Sequence, residues 1–182
     1  MKIKFLCIFI VLVFVNLLSS NADAQKFKQP VLISSAGQSA DVKLVKLLAQ
    51  KQQLNATTIL MAKPTDLTGM NTLIIVPGFS SKGLGAAGIS QEDEMDRVKN
   101  LIKSANEMKI PVILMHIGGN ARRKGQSDAF NQLAGDNSKF MIVVKQGDED
   151  GFFTAISKAK NVPLTLVEKI VDAEVPMGNL FK

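Results

Sequence analysis

The stretch VLISSAGQSADVKLVKLL, Val31–Leu48, contains an apolar run, a polar turn and then a helical pattern. The run Val31–Ser35 is short and continuous rather than alternating, which is typical of a strand buried on both faces of a parallel sheet. After it, apolar residues recur over Val42–Leu48 at the spacing of one helix face, and Ser39 is placed to cap that helix. This stretch therefore predicts a strand, a turn and a helix, the first part of a βαβ unit.

The same alternation of strand and helix patterns continues to the end of the chain. The spacing predicts a long helix from Ser90 to about Met108, opening on a capping box, and shorter helices that begin at Ser127, at Asp150 and over Lys169–Val175. We therefore predict an α/β fold with a single doubly wound, mostly parallel five- to six-stranded sheet and helices on both faces, flavodoxin-like or Rossmann-like. The predicted strands are Val31–Ser35, Thr57–Met61, Thr72–Val76, Val112–His116, Phe140–Val144 and Leu164–Val167.

Residues 1–24 have the pattern of a cleavable export signal rather than of part of the fold. A positively charged start precedes the apolar run Phe5–Leu18, which is shorter than the roughly 20 residues of a membrane span. Ala22 and Ala24 then place small residues at the two positions that signal peptidase recognises, so we expect cleavage after Ala24. An uncleaved membrane anchor is the alternative. The expectation is an exported bacterial protein, periplasmic or secreted, with one α/β domain over residues 25–182 and no stable membrane insertion after cleavage.

The composition excludes several kinds of site. The only cysteine, Cys7, lies in the expected export signal, so the mature domain should be cysteine-free, without disulfides or cysteine nucleophiles. One histidine and no cysteine exclude the usual zinc sets, and the acidic turn Asp148–Asp150 lacks the spacing of a calcium loop, so no metal is expected. A net charge of +6 permits attraction to anions, whereas the absence of Trp and Tyr argues against nucleic-acid binding.

The segment Gly83–Gly88 matches the dinucleotide fingerprint GxGxxG, but in the wrong context. Residues Gly78–Lys82 separate the third strand from the first glycine of the match, and the next helix is expected to begin near Ser90, after the glycines. No acidic residue ends the following strand, where His116 stands instead. We therefore expect no nicotinamide cofactor, and no other cofactor is indicated.

Polar loops follow the strands, and in a parallel sheet such loops gather at one edge, where ligands bind at the reversal of strand order. With the order 2-1-3-4-5 the reversal lies between the first and third strands, so their two Ser/Gly loops would face each other. Glycine N–H groups, serine hydroxyls and basic side chains donate to negative charge, and arginines can act as clamps. We therefore expect a binding module for a small anionic molecule. The candidate residues are Ser35, Gln38, Ser39, Ser80, Ser81, Lys82, Gly83, Gly85, His116, Arg122 and Arg123.

An enzyme is the alternative interpretation, most plausibly a hydrolase or transferase. His116 closes the fourth strand and could act as a general base with Ser80 or Ser81 and with Asp148 as its acidic partner. The surrounding sequence departs from the GxSxG nucleophile elbow, because Lys82 stands in the last place. A third interpretation is a protein-interaction partner, which would present an exposed apolar patch.

Several phrases of the sequence resemble one family of exported bacterial proteins that is known only as a domain of unknown function. The resemblance covers essentially the whole chain after the export signal and implies bacterial origin and export, but it supplies no activity. Most of its phrases coincide with the loops that should share one edge of the sheet, which favours a shared site. They are Pro30–Asp41, Ser80–Gly88, His116–Arg123, Val143–Lys145, Asp150–Phe153 and Pro163–Val167.

Overall fold

The computed structural model describes residues 27–182, so the expected export signal and its cleavage site lie outside the described residues. Six strands form one sheet in the order β2-β1-β3-β4-β5-β6, and every neighbouring pair is parallel. The predicted α/β fold is confirmed, and the order 2-1-3-4-5, from which the sequence analysis reasoned only as a condition, is the one that the structure has. The strands are β1 (Val31–Ala36), β2 (Ala56–Thr58), β3 (Thr72–Pro77), β4 (Val112–His116), β5 (Phe140–Val144) and β6 (Leu164–Val167).

Helices follow the strands on both faces of the sheet. The third helix begins with the predicted capping box, in which Ser90 and Asp93 each accept a hydrogen bond from the other's backbone N–H. No helix of the described chain is both long and apolar enough to cross a membrane. The helices are α1 (Asp41–Lys51), α2 (Ser81–Ala87), α3 (Gln91–Glu107), α4 (Gln126–Asp136), α5 (Phe152–Lys160) and α6 (Glu174–Asn179), with 3₁₀ turns at Pro64–Leu67, Gly119–Arg122, Lys145–Gly147 and Ile170–Ala173.

The sheet separates two apolar layers, which explains the continuous apolar strands. Successive side chains of a strand point to opposite faces, so Leu32 packs into the layer beneath α3, α4 and α5, whereas Ile33 packs into the layer beneath α1 and α6. Helix residues such as Phe130 and Val45 complete the two layers, and both are fully buried. Because both faces are covered, the functional surface is left to the edges of the sheet.

Helix α2 is a structural feature that the sequence analysis missed, since its glycines were expected to form a loop. Ser80 caps the helix by accepting a hydrogen bond from the N–H of Gly83 at 3.1 Å. Gly83 lies so close to the loop after β1 that an added Cβ would overlap the carbonyl oxygen of Gln38. The glycine at this position therefore reflects close packing of a helix against a neighbouring loop, not an irregular segment.

Two predicted element bounds are also corrected by the structure. The helix expected over Lys169–Val175 is instead a 3₁₀ turn followed by α6, which continues through Pro176. Pro176 is the third residue of α6, in the first turn, where a missing N–H breaks no helical hydrogen bond. Strand β2 ends at Thr58 rather than Met61, because this edge strand pairs with β1 only as far as Thr58.

Candidate functional site

The loops after β1, β2 and β3 surround a crevice at the carboxyl edge of the sheet, at the reversal of strand order. Its volume is about 580 Å³, which falls within the range of roughly 300–1,000 Å³ that is usual for small-molecule sites. We refer to it as the rim crevice. Its lining consists of Gln38, Ser39, Ala40, Lys43, Leu60, Met61, Ser80, Lys82, Gly83, Ala86 and Ala87.

The floor of the rim crevice is formed by the loop after β1. Gly37 has a φ of +97°, a conformation that favours glycine, and Gln38 has a φ of +61°. Gln38 pairs with Phe79 in an isolated antiparallel bridge, which joins this loop to the loop after β3. Ser39 is fully buried and its Oγ accepts a hydrogen bond from the N–H of Asp41 at 3.2 Å. The two loops are thus fixed to each other by backbone pairing.

Three polar side chains of the lining have hydrogen-bond donors that no described group accepts. The side-chain nitrogen of Gln38 is buried without a partner. The hydroxyls of Ser39 and Ser80 accept from the N–H groups of Asp41 and Gly83, so each O–H remains available to donate. Buried donors are normally satisfied, because an unmet one carries a desolvation cost. The floor of the crevice therefore suits a ligand that brings acceptor oxygens.

Two lysines give the rim crevice its charge. Lys43 on α1 and Lys82 on α2 are both exposed, and each contributes to the lining of the rim crevice from its own helix. None of the described lining residues is acidic. The nearby carboxylate of Asp41 is paired with Arg122, the Nε–Oδ2 distance being 3.4 Å. The local field is therefore positive and favours an anion.

A buried ion pair that the sequence analysis missed holds the loops after β1 and β2. The carboxylate of Glu94 is fully buried and accepts hydrogen bonds from Nε and Nη2 of Arg97, each at 2.7 Å. The same carboxylate accepts from the N–H of Gly37 at 2.9 Å. Arg97 also donates to the carbonyl oxygens of Ser35 and Ala62, at 2.7 and 2.8 Å. One charge pair on α3 therefore sets the positions of two loops that border the crevice.

The imidazole of His116 is fully buried away from the rim crevice. Its Nε2 lies 3.2 Å from the carbonyl oxygen of Gly119, and its ring packs on Phe153 with 4.8 Å between ring centroids. Its Nδ1 has no hydrogen-bond partner among the described residues. Burial lowers the pKa of His116, and the positive charge of Arg123 lowers it further, against the opposing effects of the Gly119 carbonyl and the negative charge of Asp41. The folded protein therefore favours the neutral imidazole.

The other catalytic candidates lie at the N-terminal ends of two helices. Ser80 caps α2, Ser81 is the exposed first residue of that helix, and Asp148 accepts a hydrogen bond from the N–H of Phe153 at 2.6 Å at the start of α5. Within residues 27–182, His116 makes no hydrogen bond to any of them. The hydrolase or transferase interpretation stays a prediction and has no assembled set of catalytic residues.

Arg123, expected to be a clamp, is held by two carboxylates of its own chain. Its Nε donates to Asp128 at 2.8 Å and its Nη2 to Asp150 at 2.9 Å, while Nη1 also donates to the carbonyl oxygen of Gly147. The guanidinium lies 4.3 Å from the ring centroid of Phe152, and its side chain is only 4% exposed. The hydrogen bond from Arg123 lowers the pKa of Asp150, which keeps that carboxylate charged. Arg123 therefore fastens the loop after β4 to the loop after β5.

Some of the predicted binding residues line the rim crevice and others lie elsewhere. Those in the lining are Gln38, Ser39, Ser80, Lys82 and Gly83. Arg122 lies at the same edge of the sheet, but its Nη1 donates to the carbonyl oxygen of Phe79 at 3.0 Å and its Nε pairs with Asp41. The structure also places Ser35, Ser81, Gly85, His116 and Arg123 outside the lining, and it adds the unpredicted Ala40, Lys43, Leu60, Met61, Ala86 and Ala87.

The buried histidine predicts a pH dependence of stability. Its pKa is lowered from 6.5 in the folded state, so the unfolded chain binds a proton more readily as the pH falls. We expect the free energy of unfolding to be highest above pH 6.5 and to decrease from there towards the folded-state pKa. Urea unfolding of wild type and His116→Gln at several pH values checks this, and the variant should show a smaller slope between pH 7.5 and 5. Equal slopes in the two proteins would contradict the assignment.

Comparison with known proteins gives a family and distant structural similarities. The SGNH-hydrolase family esterase AlinE4 is 13% identical over 85% of this chain and 84% of its own, with a TM-score of 0.30. The psychrotrophic esterase EstA from Pseudoalteromonas sp. is 17% identical over 75% of this chain and 76% of its own, with a TM-score of 0.33. A GDSL-like lipase from Bacteroides thetaiotaomicron is 12% identical over 75% of this chain and 66% of its own, also with a TM-score of 0.33.

These similarities are too distant to support any argument about activity. No curated protein matches the sequence. The family model described as "Domain of unknown function (DUF6305)" matches residues 28–181.

Proposed function

Because the chain belongs to the family described as a domain of unknown function (DUF6305), whose description assigns no activity, we propose a function from the rim crevice: an exported module that binds a small anionic molecule. The observation that supports the proposal is the chemistry of the lining. Donors of Gln38, Ser39 and Ser80 have no acceptor among the described residues, and Lys43 and Lys82 flank them. Donors and positive charge around one cavity complement a carboxylate or a phosphate.

The donors and the lysines are expected to contribute differently to affinity. A hydrogen bond to a charged group contributes about 1.5–3 kcal/mol, whereas an exposed ion pair contributes about 0.2–1 kcal/mol. The donors of Gln38, Ser39 and Ser80 should therefore fix the position of the anionic group. Lys43 and Lys82, which are exposed, should mainly attract anions and discriminate against neutral molecules.

Removing both lysines should weaken anion binding without harming the fold. We expect Lys43→Ala/Lys82→Ala to raise the Kd for hexanoate about tenfold, since two exposed pairs at roughly 0.7 kcal/mol each amount to one factor of ten. Isothermal titration calorimetry with hexanoate and with inorganic phosphate measures this.

The matched control removes two other exposed lysines. Lys103→Ala/Lys139→Ala changes the net charge by the same amount, and both residues are exposed and lie outside the rim crevice. This control should change Kd less than twofold, because exposed charges farther away than a Debye length of about 8 Å are screened at physiological salt. Equal losses in the two double variants, or no heat with either anion, would contradict the proposed site.

A further inference from the structure

We infer that the anion bound in the rim crevice carries an aliphatic tail, an inference that rests on the proposed function. Five of the eleven lining residues have apolar side chains, namely Ala40, Leu60, Met61, Ala86 and Ala87. An inorganic anion would fill only a small part of the roughly 580 Å³ of the crevice and would leave these side chains in contact with water. A ligand with an apolar body would cover them, and burial of that surface would favour binding.

A second groove adjoins the rim crevice along α1, and its lining combines two leucines with four polar or charged residues. It has a volume of about 380 Å³ and shares Lys43 and Leu60 with the crevice. Leu60 and Leu47 are 39% and 54% exposed, which is a large exposure for two leucines in neighbouring positions of one groove. We call this second cavity the tail groove. Its other lining residues are Lys46, Gln50 and Thr58.

The charges of the two cavities indicate how such a ligand would lie. Lys43 belongs to both linings, Lys82 to the rim crevice alone and Lys46 to the tail groove alone, and none of the described residues that line either cavity is acidic. An anionic head group placed over the donors of the lining would lie between Lys43 and Lys82. The tail would then pass over Leu60 towards Leu47. The ligand class that fits is an alkyl chain with one anionic head group, as in a medium-chain carboxylate.

Chain length is the variable that tests this inference. Titration calorimetry of the wild-type protein with acetate, hexanoate, decanoate and uncharged decanol, all below micelle-forming concentrations, compares charge and tail separately. A fully buried methylene strengthens binding about fourfold, and we expect about twofold per methylene in these open cavities. Decanol should bind more than tenfold more weakly than decanoate, since it lacks both the lysine pairs and the charge of the acceptor for the donors of the lining.

Serine variants of the two leucines map the path of the tail. Leu47→Ser should weaken decanoate several-fold and leave hexanoate unchanged, whereas Leu60→Ser should weaken both. The Leu60 side chain is 39% exposed, and the variant keeps the backbone carbonyl oxygen that accepts from Ser34 and Ser35 at 3.1 and 2.9 Å, so it should fold. Val171→Ser, at a residue that is 53% exposed and lines neither cavity, is the matched control and should bind every ligand as wild type does.

The outcomes separate this inference from the proposed function on which it rests. If affinity is flat from acetate to decanoate but still depends on Lys43 and Lys82, the aliphatic tail is wrong and the anion site stands. If decanol binds as tightly as decanoate and the lysine variants have no effect, the anion site itself is wrong. A rising affinity with chain length that Leu47→Ser leaves intact would overturn the assigned path of the tail.

Discussion

Glu94→Ala is expected to lower the free energy of unfolding by about 3–5 kcal/mol, the usual cost of removing one partner of a buried ion pair. The substitution would leave the guanidinium of Arg97, whose side chain is 11% exposed, without its counter-ion. It would also leave the N–H of Gly37 without its acceptor. Since Gly37 precedes the residues that form the floor of the rim crevice, anion binding should weaken together with stability.

Urea unfolding followed by circular dichroism measures the loss. Glu92→Ala removes an exposed carboxylate from the first turn of the same helix and is the matched control, with an expected change of less than about 1 kcal/mol. The double variant Glu94→Met/Arg97→Met should be more stable than Glu94→Met or Arg97→Met alone, because it leaves no unpaired buried charge, but less stable than wild type, because the backbone groups of Gly37, Ser35 and Ala62 lose their partners. If single substitutions of Glu94 and Arg97 each lowered the free energy of unfolding by less than Glu92→Ala does, the role assigned to this ion pair would be wrong.

Arg123→Ala should lower the free energy of unfolding by about 2–4 kcal/mol. This is somewhat below the range for fully buried ion pairs, because Asp128 and Asp150 are 25% and 50% exposed and water can partly replace the arginine. The substitution also removes the packing of the guanidinium on Phe152. Arg123→Lys should cost less than alanine but still a measurable amount, since an ammonium cannot reproduce the two-carboxylate fork.

Binding measurements on these variants also test the clamp interpretation of Arg123. Because its side chain lies outside the rim crevice and is already paired, Arg123→Lys should leave the Kd for hexanoate unchanged while the unfolding midpoint falls. Lys124→Ala, at the exposed neighbouring position, should change neither quantity. If Arg123→Lys raised the Kd for hexanoate under conditions in which the variant is fully folded, Arg123 would belong to the anion site.

The strands and their parallel direction could be predicted because they depend on local patterns, whereas the exact order of the strands depends on contacts between distant segments and was only a condition of the sequence analysis. A sheet covered on both faces needs continuous apolar strands, and the connecting helices make those strands parallel. Helix α2 could not be predicted in this way, because Gly83 and Gly85 have a low helix propensity. The helix forms against the loop that contains Gln38, a contact between residues far apart in the sequence.

The candidate residues of the site also divide into those that topology predicts and those that the sequence analysis missed. Gln38, Ser39, Ser80 and Lys82 were predicted because topology alone brings the loops after β1 and β3 together. Lys43 was missed, although Ala40, Lys43 and Leu47 follow the helical spacing of a single face beside the loop after β1.

The long-range ion pairs were beyond sequence reasoning of this kind. Nothing in the local pattern shows that Arg122 is paired with Asp41 or that Arg123 is paired with Asp150. Glu94 carried a readable signal, because a carboxylate stands in the apolar stripe of α3 that continues at Val98 and Leu101.

The anchoring of the loop after β1 has a consequence for the kinetics of any ligand. Gly37 is held by Glu94 and Gln38 is paired with Phe79, so the floor is in place before a molecule arrives. Entry then requires no slow rearrangement of the backbone, and similar ligands should associate at similar speeds. Differences among them will therefore lie in residence time, that is, in how quickly each one escapes.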